Sequence, residues 1–343
     1  MKAAVLERPA TPLVVREISG PRPGHGEVLL KVDACGVCRT DLHIIDGELP
    51  PPKQPLVLGH QVVGRVVESG AGARGFRDGQ RVGVPWLGGA CGECRYCRGG
   101  YENLCDQARY TGFHIDGGFA EMCVADERFA VALPQECTPA KTAPLLCAGL
   151  IGYRAYKLTR CGEPDGSGGM TGPGTKRIGF YGFGSSASIL IQVALHNGQE
   201  VYAFVRPGDT QGRDFALAMG AAWAGGSDER PARELDAAII FAPVGELVPE
   251  ALTAVRRGGV VVCAGIHMSD IPAFPYEKLW GERTLRSVSN LTRRDSQEFM
   301  NLAREISVKT EVTVYSLDEI NRAVEDLRKG HIAGSAVVTV NGS

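Results

Sequence analysis

Four cysteines fall within fifteen residues, Cys91-x2-Cys94-x2-Cys97-x7-Cys105, a spacing that lets one loop wrap one tetrahedral ion. Thiolates favour soft or borderline metals, and four sulfurs leave no coordination position for water or substrate. The expectation is a structural zinc site that holds the chain together and does no chemistry. Scattered core cysteines account poorly for this spacing. An iron–sulfur run of the bacterial ferredoxin type closes with a three-residue gap and a proline, whereas here the last gap is seven and Asp106 follows.

Chemistry therefore has to come from elsewhere, and three further ligands are available in Cys38, His60 and Cys147. Cys38-Arg39-Thr40-Asp41-Leu42-His43 packs a thiol, a hydroxyl, a carboxylate and an imidazole into six residues. Gly59-His60 sets an imidazole at the entrance of a strand pattern, and Cys147 lies where the texture of the chain changes. Three protein ligands leave a fourth position open, which is the pattern of catalytic zinc.

A second motif concerns phosphate. Ile178-Gly179-Phe180-Tyr181 runs into Gly182-Phe183-Gly184-Ser185-Ser186-Ala187 and then a helical pattern. The first glycine suits a tight turn, the second admits a pyrophosphate to the backbone, and Ala187 keeps helix and strand close. The helix N-terminus adds unpaired N–H groups and a positive dipole end. Where an acid for the ribose 2′-hydroxyl is expected, about 20 residues past the glycines, the chain has Arg206, with Asp209 three residues on. A guanidinium can pair with a 2′-phosphate in bidentate fashion, so NADP is favoured over NAD. A solvated Arg206 with Asp209 on the ribose is the alternative. The Gly-rich stretch Gly162–Thr175 nearly spells a nucleoside-triphosphate loop, but Thr175 and Lys176 are reversed and it precedes a strand, so it reads as a surface loop.

The elements that must position these residues divide in two. The first 150 residues carry short β-rich runs, such as 27–32, 61–68 and 81–84, broken by Gly and Pro. From Lys176 a βα alternation begins, with strands at 177–181, 201–205, 236–241 and 259–264 and helices at 186–196, 215–219 and 247–255. That grammar implies a doubly wound parallel sheet. Helical runs at 296–305 and 317–328 and a strand at 336–340 complete the chain. At 343 residues two domains are expected. A net charge of −2 with no run of basic residues longer than two gives no bias toward nucleic acid or an anionic membrane. No apolar stretch approaches the ~20 residues that span a bilayer. Eleven cysteines without an apolar leader point to thiols kept reduced for metal, hence the cytoplasm.

Taken together, Gly36–His43, Gly59-His60, the four-cysteine lobe, Asp116–Glu121, Cys147-Ala148-Gly149 and the dinucleotide turn resemble the zinc-dependent medium-chain alcohol dehydrogenases over essentially the whole length. The resemblance implies an α/β protein. A GroES-like β-rich catalytic domain (1–150 and 285–343, with the zinc lobe at 88–107) would accompany a Rossmann dinucleotide-binding domain (151–284). It implies two zinc ions per chain, NAD(P)(H), a small alcohol or aldehyde as substrate, and a homodimer or homotetramer. By position, Cys38, His60 and Cys147 would hold catalytic zinc, with Asp41 orienting the His60 imidazole. Thr40 would bond the substrate oxygen and pass its proton through the cofactor ribose to His43. Arg39 would lie against the pyrophosphate, and Leu49 and Trp86 in the substrate pocket. Strand order alone sets the stretch Val261–Ile266, with Ile266 at its end, along the edge of the nicotinamide.

Three positions depart from the family pattern. Gln61 replaces the Glu that commonly follows the ligand His. Ile151 takes the place of a Thr beside the nicotinamide. Leu49 stands where some relatives have Trp, which suggests a roomier pocket. None removes a zinc ligand. Two other readings remain: a zinc-free quinone or enoyl reductase of the same superfamily, which intact metal sites disfavour, and a non-catalytic zinc- and nucleotide-binding redox sensor.

Overall fold

A computed structural model describes residues 1–159, 177–332 and 334–340. The Gly162–Thr175 stretch lies outside the described residues. The chain divides into two compact units, one of Met1–Leu150, Asn290–Asn301 and Lys309–Ser343, the other of Ile151–Ser289 and Leu302–Val308.

The first unit is built on a seven-stranded sheet. Its spine runs Val131–Ala132, Arg81–Val84, Val62–Ser69, Glu27–Val37, Ser335–Thr339 and Val312–Ser316, with Met122–Asp126 also paired to Glu27–Val37. Every pairing is antiparallel except that of Val312–Ser316 with Ser335–Thr339. The 11-residue strand Glu27–Val37 is the backbone of this sheet. Its register against Val62–Ser69 shifts twice, between Leu29 and Leu30 and between Val32 and Ala34. Such irregularities bend a strand, and this one serves Met122–Asp126 with its first half and Ser335–Thr339 with its second. Its apolar residues, Val28, Leu30, Val32 and Val37, pack with Val62, Val82, Phe119 and Val338 into one core. A three-stranded sheet of Val14–Glu17, Lys2–Leu6 and Leu56–Val57 lies in the same unit, and Leu87–Gly89 pairs with Arg109–Tyr110 around the four-cysteine lobe.

Among its described residues the second unit carries six parallel strands in the order Trp223–Gly226, Glu200–Val205, Arg177–Tyr181, Leu235–Ile240, Val255–Cys263, Thr284–Ser287. Numbered within the unit this is 3-2-1-4-5-6, the doubly wound order that places a ligand crevice at the carboxyl ends of the first and fourth strands. Strands covered on both faces read as continuous apolar runs, and Ile178, Phe180, Val201, Phe204, Ile239 and Ile240 are all buried. Tyr181 stacks on Phe204 with centroids 4.0 Å apart.

The expected α/β class is what the chain adopts, with boundaries that differ by a few residues. The helix expected at 215–219 runs from Thr210 to Ala218, because Asp209 caps it through a bond from the Gly212 N–H. The helical run 317–328 splits into a tighter turn, Leu317–Glu319, and the helix Ile320–Lys329. His60 sits two residues ahead of its strand, which starts at Val62.

Candidate active site

Cys38 ends the long strand's excursion and starts the helix Arg39–Ile45. Its sulfur accepts the Thr40 N–H at 3.3 Å, and Asp41 Oδ2 accepts the Cys38 N–H at 2.9 Å, so the two side chains close the first turn reciprocally. A thiol here replaces the usual Ser or Thr cap. One short helix thus carries Cys38 at its start, Thr40 and Asp41 in its first turn, and His43 one turn on. Thr40 and His43, three apart, share a face. Thr40 and Asp41 are buried.

His60 arrives from a different segment. Gly59 has φ +93°, and a Cβ there would come within 2.6 Å of the Phe119 ring and 2.8 Å of Cys35 Sγ, so only glycine lets the chain pass. The His60 ring is fully buried, with Nε2 3.1 Å from Cys38 Sγ and Nδ1 3.3 Å from Asp41 Oδ1. Cys147, which follows the tight helical turn Ala143–Leu146, completes the group. The ligand atoms of Cys38, His60 and Cys147 all lie within 4.8 Å of one another. Ligand bonds of about 2.0–2.3 Å at tetrahedral angles hold their atoms roughly 3.3–3.8 Å apart, so this donor set fits a zinc ion.

The orphaned atoms agree with that fit. Asp41 Oδ1 and His60 Nδ1 are within ion-pair distance yet not aligned for a hydrogen bond, and neither reaches solvent. Asp41 is thus set behind the ring that its neighbour Cys38 meets from the other nitrogen, the arrangement of a ligand imidazole and its orienting carboxylate. Electrostatics in the metal-free chain follow. A hydrogen bond from Cys147 holds the Cys38 thiol well below its ordinary value, and that same shared proton, with burial, holds Cys147 well above. Burial pulls His60 down, but the Cys38 thiolate and then Asp41 outweigh it and raise the imidazole to about 10. Burial also raises Asp41 against the opposing pull of His60.

Beside this group stands an aromatic wall. Trp86 meets the His60 ring edge-on at 4.7 Å and lies flat on Tyr110 at 5.1 Å, with Phe113 at 5.9 Å. Leu49 packs part-buried against the same core. Gln61 is 2% exposed, and a Cβ on Gly36 would come within 2.5 Å of its amide oxygen, so strand and side chain are mutually fitted. Tyr110 and Phe113 were not legible as members of this wall, since an isolated aromatic in a loop carries no periodic signal.

The second cysteine group also closes. Cys91, Cys94, Cys97 and Cys105 hold their sulfurs within 4.8 Å of one another. Backbone N–H groups point at the sulfurs: Cys94 to Cys91 at 3.4 Å, Cys97 to Cys94 at 3.5 Å and Gln107 to Cys105 at 3.4 Å. Such bonds, chiefly those of Glu93 and Cys94, lower Cys91 to about 7, while burial pushes Cys97 up to about 12. Glu102, buried within the lobe, meets Arg293 at 2.6 Å.

In the other unit, Gly182 has φ +88° and abuts Ala242, where a Cβ would lie 3.0 Å from the backbone nitrogen. Gly184 caps the helix Ser185–His196 with open space over its α-carbon, so a ligand can approach the backbone. Ser185 and Ser186 form the first turn, and Ala187 is fully buried beneath it. Arg206 is exposed immediately after the strand Glu200–Val205. Asp209 Oδ1 accepts the Gly212 N–H at 2.8 Å. Ile266 is 41% exposed, and Arg39, in the first unit, is exposed at the start of its helix.

Comparison with known proteins bears on these arrangements. Residues 24–135 match the alcohol dehydrogenase GroES-like domain. A probable alcohol dehydrogenase of Mycobacterium tuberculosis is 46% identical over 326 residues, covering 93% of this chain and 90% of its own. An alcohol dehydrogenase of Geobacillus stearothermophilus is 36% identical over 99% of this chain and 100% of its own. The crystal structure of the Aeropyrum pernix alcohol dehydrogenase superposes with a TM-score of 0.86 at 28% identity, covering 99% of this chain and 100% of that one.

Proposed function

Because this chain belongs to the medium-chain alcohol dehydrogenase family, we propose that it interconverts a small alcohol and its aldehyde or ketone using zinc at Cys38, His60 and Cys147 and a nicotinamide dinucleotide at the Gly182–Ala187 turn. Its activity is that of an alcohol dehydrogenase; the metal, the cofactor and the residue roles are our reading. The observation that carries it is the convergence of two sulfurs and one imidazole with Asp41 behind the ring.

Bound there, zinc would supply Lewis acidity toward the substrate oxygen, and a nicotinamide would supply the hydride chemistry. The chain's own residues do the rest. Asp41 holds the His60 ring so that Nε2 faces the metal position. The buried Thr40 hydroxyl accepts the alcohol proton at Oγ1 while giving up its own, and His43 takes a proton at Nε2. Trp86, backed by Tyr110, shields the reacting group from water. On the cofactor side, the N–H groups at the start of Ser185–His196 would hold the pyrophosphate, and Ile266 would offer an apolar surface to the nicotinamide. Arg206 offers its guanidinium to a 2′-phosphate, which favours NADP. Cys91, Cys94, Cys97 and Cys105 hold a second, structural zinc. Gln61 is neutral where a carboxylate is common, so the position beside His60 would offer the metal site an amide in place of a charge. No described helix is long and apolar enough to cross a membrane. A homodimer or homotetramer is the proposed assembly.

The test is turnover of an alcohol panel with NAD and NADP on metal-quantified protein, beside Cys38→Ala. Two zincs per chain and loss of turnover in Cys38→Ala are expected. Turnover that survives removal of all metal would point to a zinc-free reductase. Absence of any turnover in fully loaded protein would leave the redox-sensor reading standing.

A further inference from the structure

His43 lies on the helix Arg39–Ile45 one turn beyond Thr40, and its side chain is only 13% exposed. The chain leaves that helix through a turn that folds back on it. Asp46 N–H bonds Leu42 O at 2.8 Å, Gly47 N–H bonds Ile44 O at 3.2 Å and Leu49 N–H bonds His43 O at 3.0 Å. Gly47 has φ +80°, a left-handed conformation that glycine adopts freely and side chains resist. Arg328 grips Asp46 through both carboxylate oxygens, at 2.5 and 2.8 Å, and fixes the turn from outside. The product of this folding is Glu48 set against the imidazole, with Oε2 2.5 Å from His43 Nδ1 and the carboxylate half in solvent.

We propose that Glu48 is the positioning residue for His43. An ionised carboxylate only accepts, so Nδ1 is the donor and carries the hydrogen. That fixes the tautomer in which Nε2 holds the lone pair and is the nitrogen that takes the substrate-derived proton. When Nε2 becomes protonated, the carboxylate faces the new positive charge, and the proton returns from Nε2 to water as the ring resets. Without Glu48, Nδ1 loses this acceptor, the ring divides between two tautomers, and only part of the population is competent. A solvent-exposed ion pair of no consequence is the plain alternative, since such pairs contribute little on their own. The two differ in whether the effect of Glu48 passes through His43.

This inference rests on the reading of His43 as proton acceptor, and a double-mutant cycle separates the two. The readout is the single-turnover rate of nicotinamide reduction at saturating alcohol and cofactor, with KM for the alcohol and zinc content measured on each variant. Glu48→Ala should lower the rate about tenfold, the scale of losses for partners that orient a functional imidazole, with KM and zinc content unchanged. Glu48→Gln, whose amide oxygen still accepts the Nδ1–H, should recover most of that loss. In a His43→Ala background, Glu48→Ala should have no further effect. An unchanged rate in Glu48→Ala, or an equal loss in both backgrounds, overturns the role of Glu48 while leaving that of His43 intact. An unchanged rate in His43→Ala removes the His43 reading and this proposal with it.

Discussion

Loading zinc at Cys38, His60 and Cys147 should release about two protons at about pH 9, roughly twice what unperturbed ligands would give. The count follows from the site's electrostatics. Metal requires both sulfurs as thiolates and the imidazole neutral. Thiols at their ordinary value of 9.0 would each be half ionised at that pH and the imidazole already neutral, for a total of about one proton. Here the two sulfurs share one proton, because Cys38 is lowered well below that value and Cys147 raised well above it. His60, raised to about 10, keeps most of a second. Since protons compete with the ion, affinity should fall as pH falls, by about two log units per pH unit below that range. Calorimetric titration of metal-free protein in buffers of different ionisation enthalpy gives the number directly. The Cys38→Ala variant, titrated alongside, subtracts the four-cysteine lobe. A release near one at this pH would show that His60 and Cys147 titrate as isolated groups and that the described ion-pair geometry does not govern the metal-free site.

Other perturbations test separate parts. Asp41→Asn removes the carboxylate behind the His60 ring and should weaken zinc binding at this site about tenfold to a hundredfold in chelator competition, leaving the other zinc in place. Cys94→Ala should reduce zinc from about two to about one per chain and lower Tm by several degrees in a thermal melt, since a structural ion contributes its binding energy to folding. Arg206→Ala should cut kcat/KM for NADP about tenfold or more and leave NAD within about twofold. The scale is that of losing one charge-assisted bond to a phosphate, about 1.5–3 kcal/mol.

Much of the site was legible because metal ligands and phosphate turns demand residue types at fixed spacing. The interval from Cys91 to Cys105 and the Cys38–His43 string each announce a geometry that few other sequences share, while the Gly182–Ala187 turn takes its meaning from following a strand and opening a helix. The parallel sheet was legible for a similar reason, as strands such as Arg177–Tyr181 and Glu200–Val205 are continuously buried, without polar alternation, after their first, charged residue. What escaped depends on contacts distant in sequence or on backbone alone. Val312–Ser316 exists as a strand because Ser335–Thr339 offers it a parallel edge, and its own burial pattern is mostly open. Glu48 looks like any surface acid until the turn at Gly47 brings it to His43. Glu102 and Arg293 are 191 residues apart and meet only in three dimensions.

The sulfur of Cys38 closes the first turn of the helix that bears Thr40 and His43, and it is also one of three atoms positioned for the ion. Zinc held there as proposed would therefore bear on more than its three donor atoms. The sulfur would divide its lone pairs between the ion and the Thr40 N–H, so occupancy of the site would be felt at the first turn of the helix that carries Thr40 and His43. Chelators and substitute metals should thus be felt as altered amide exchange along that single turn, even with the three donor atoms intact.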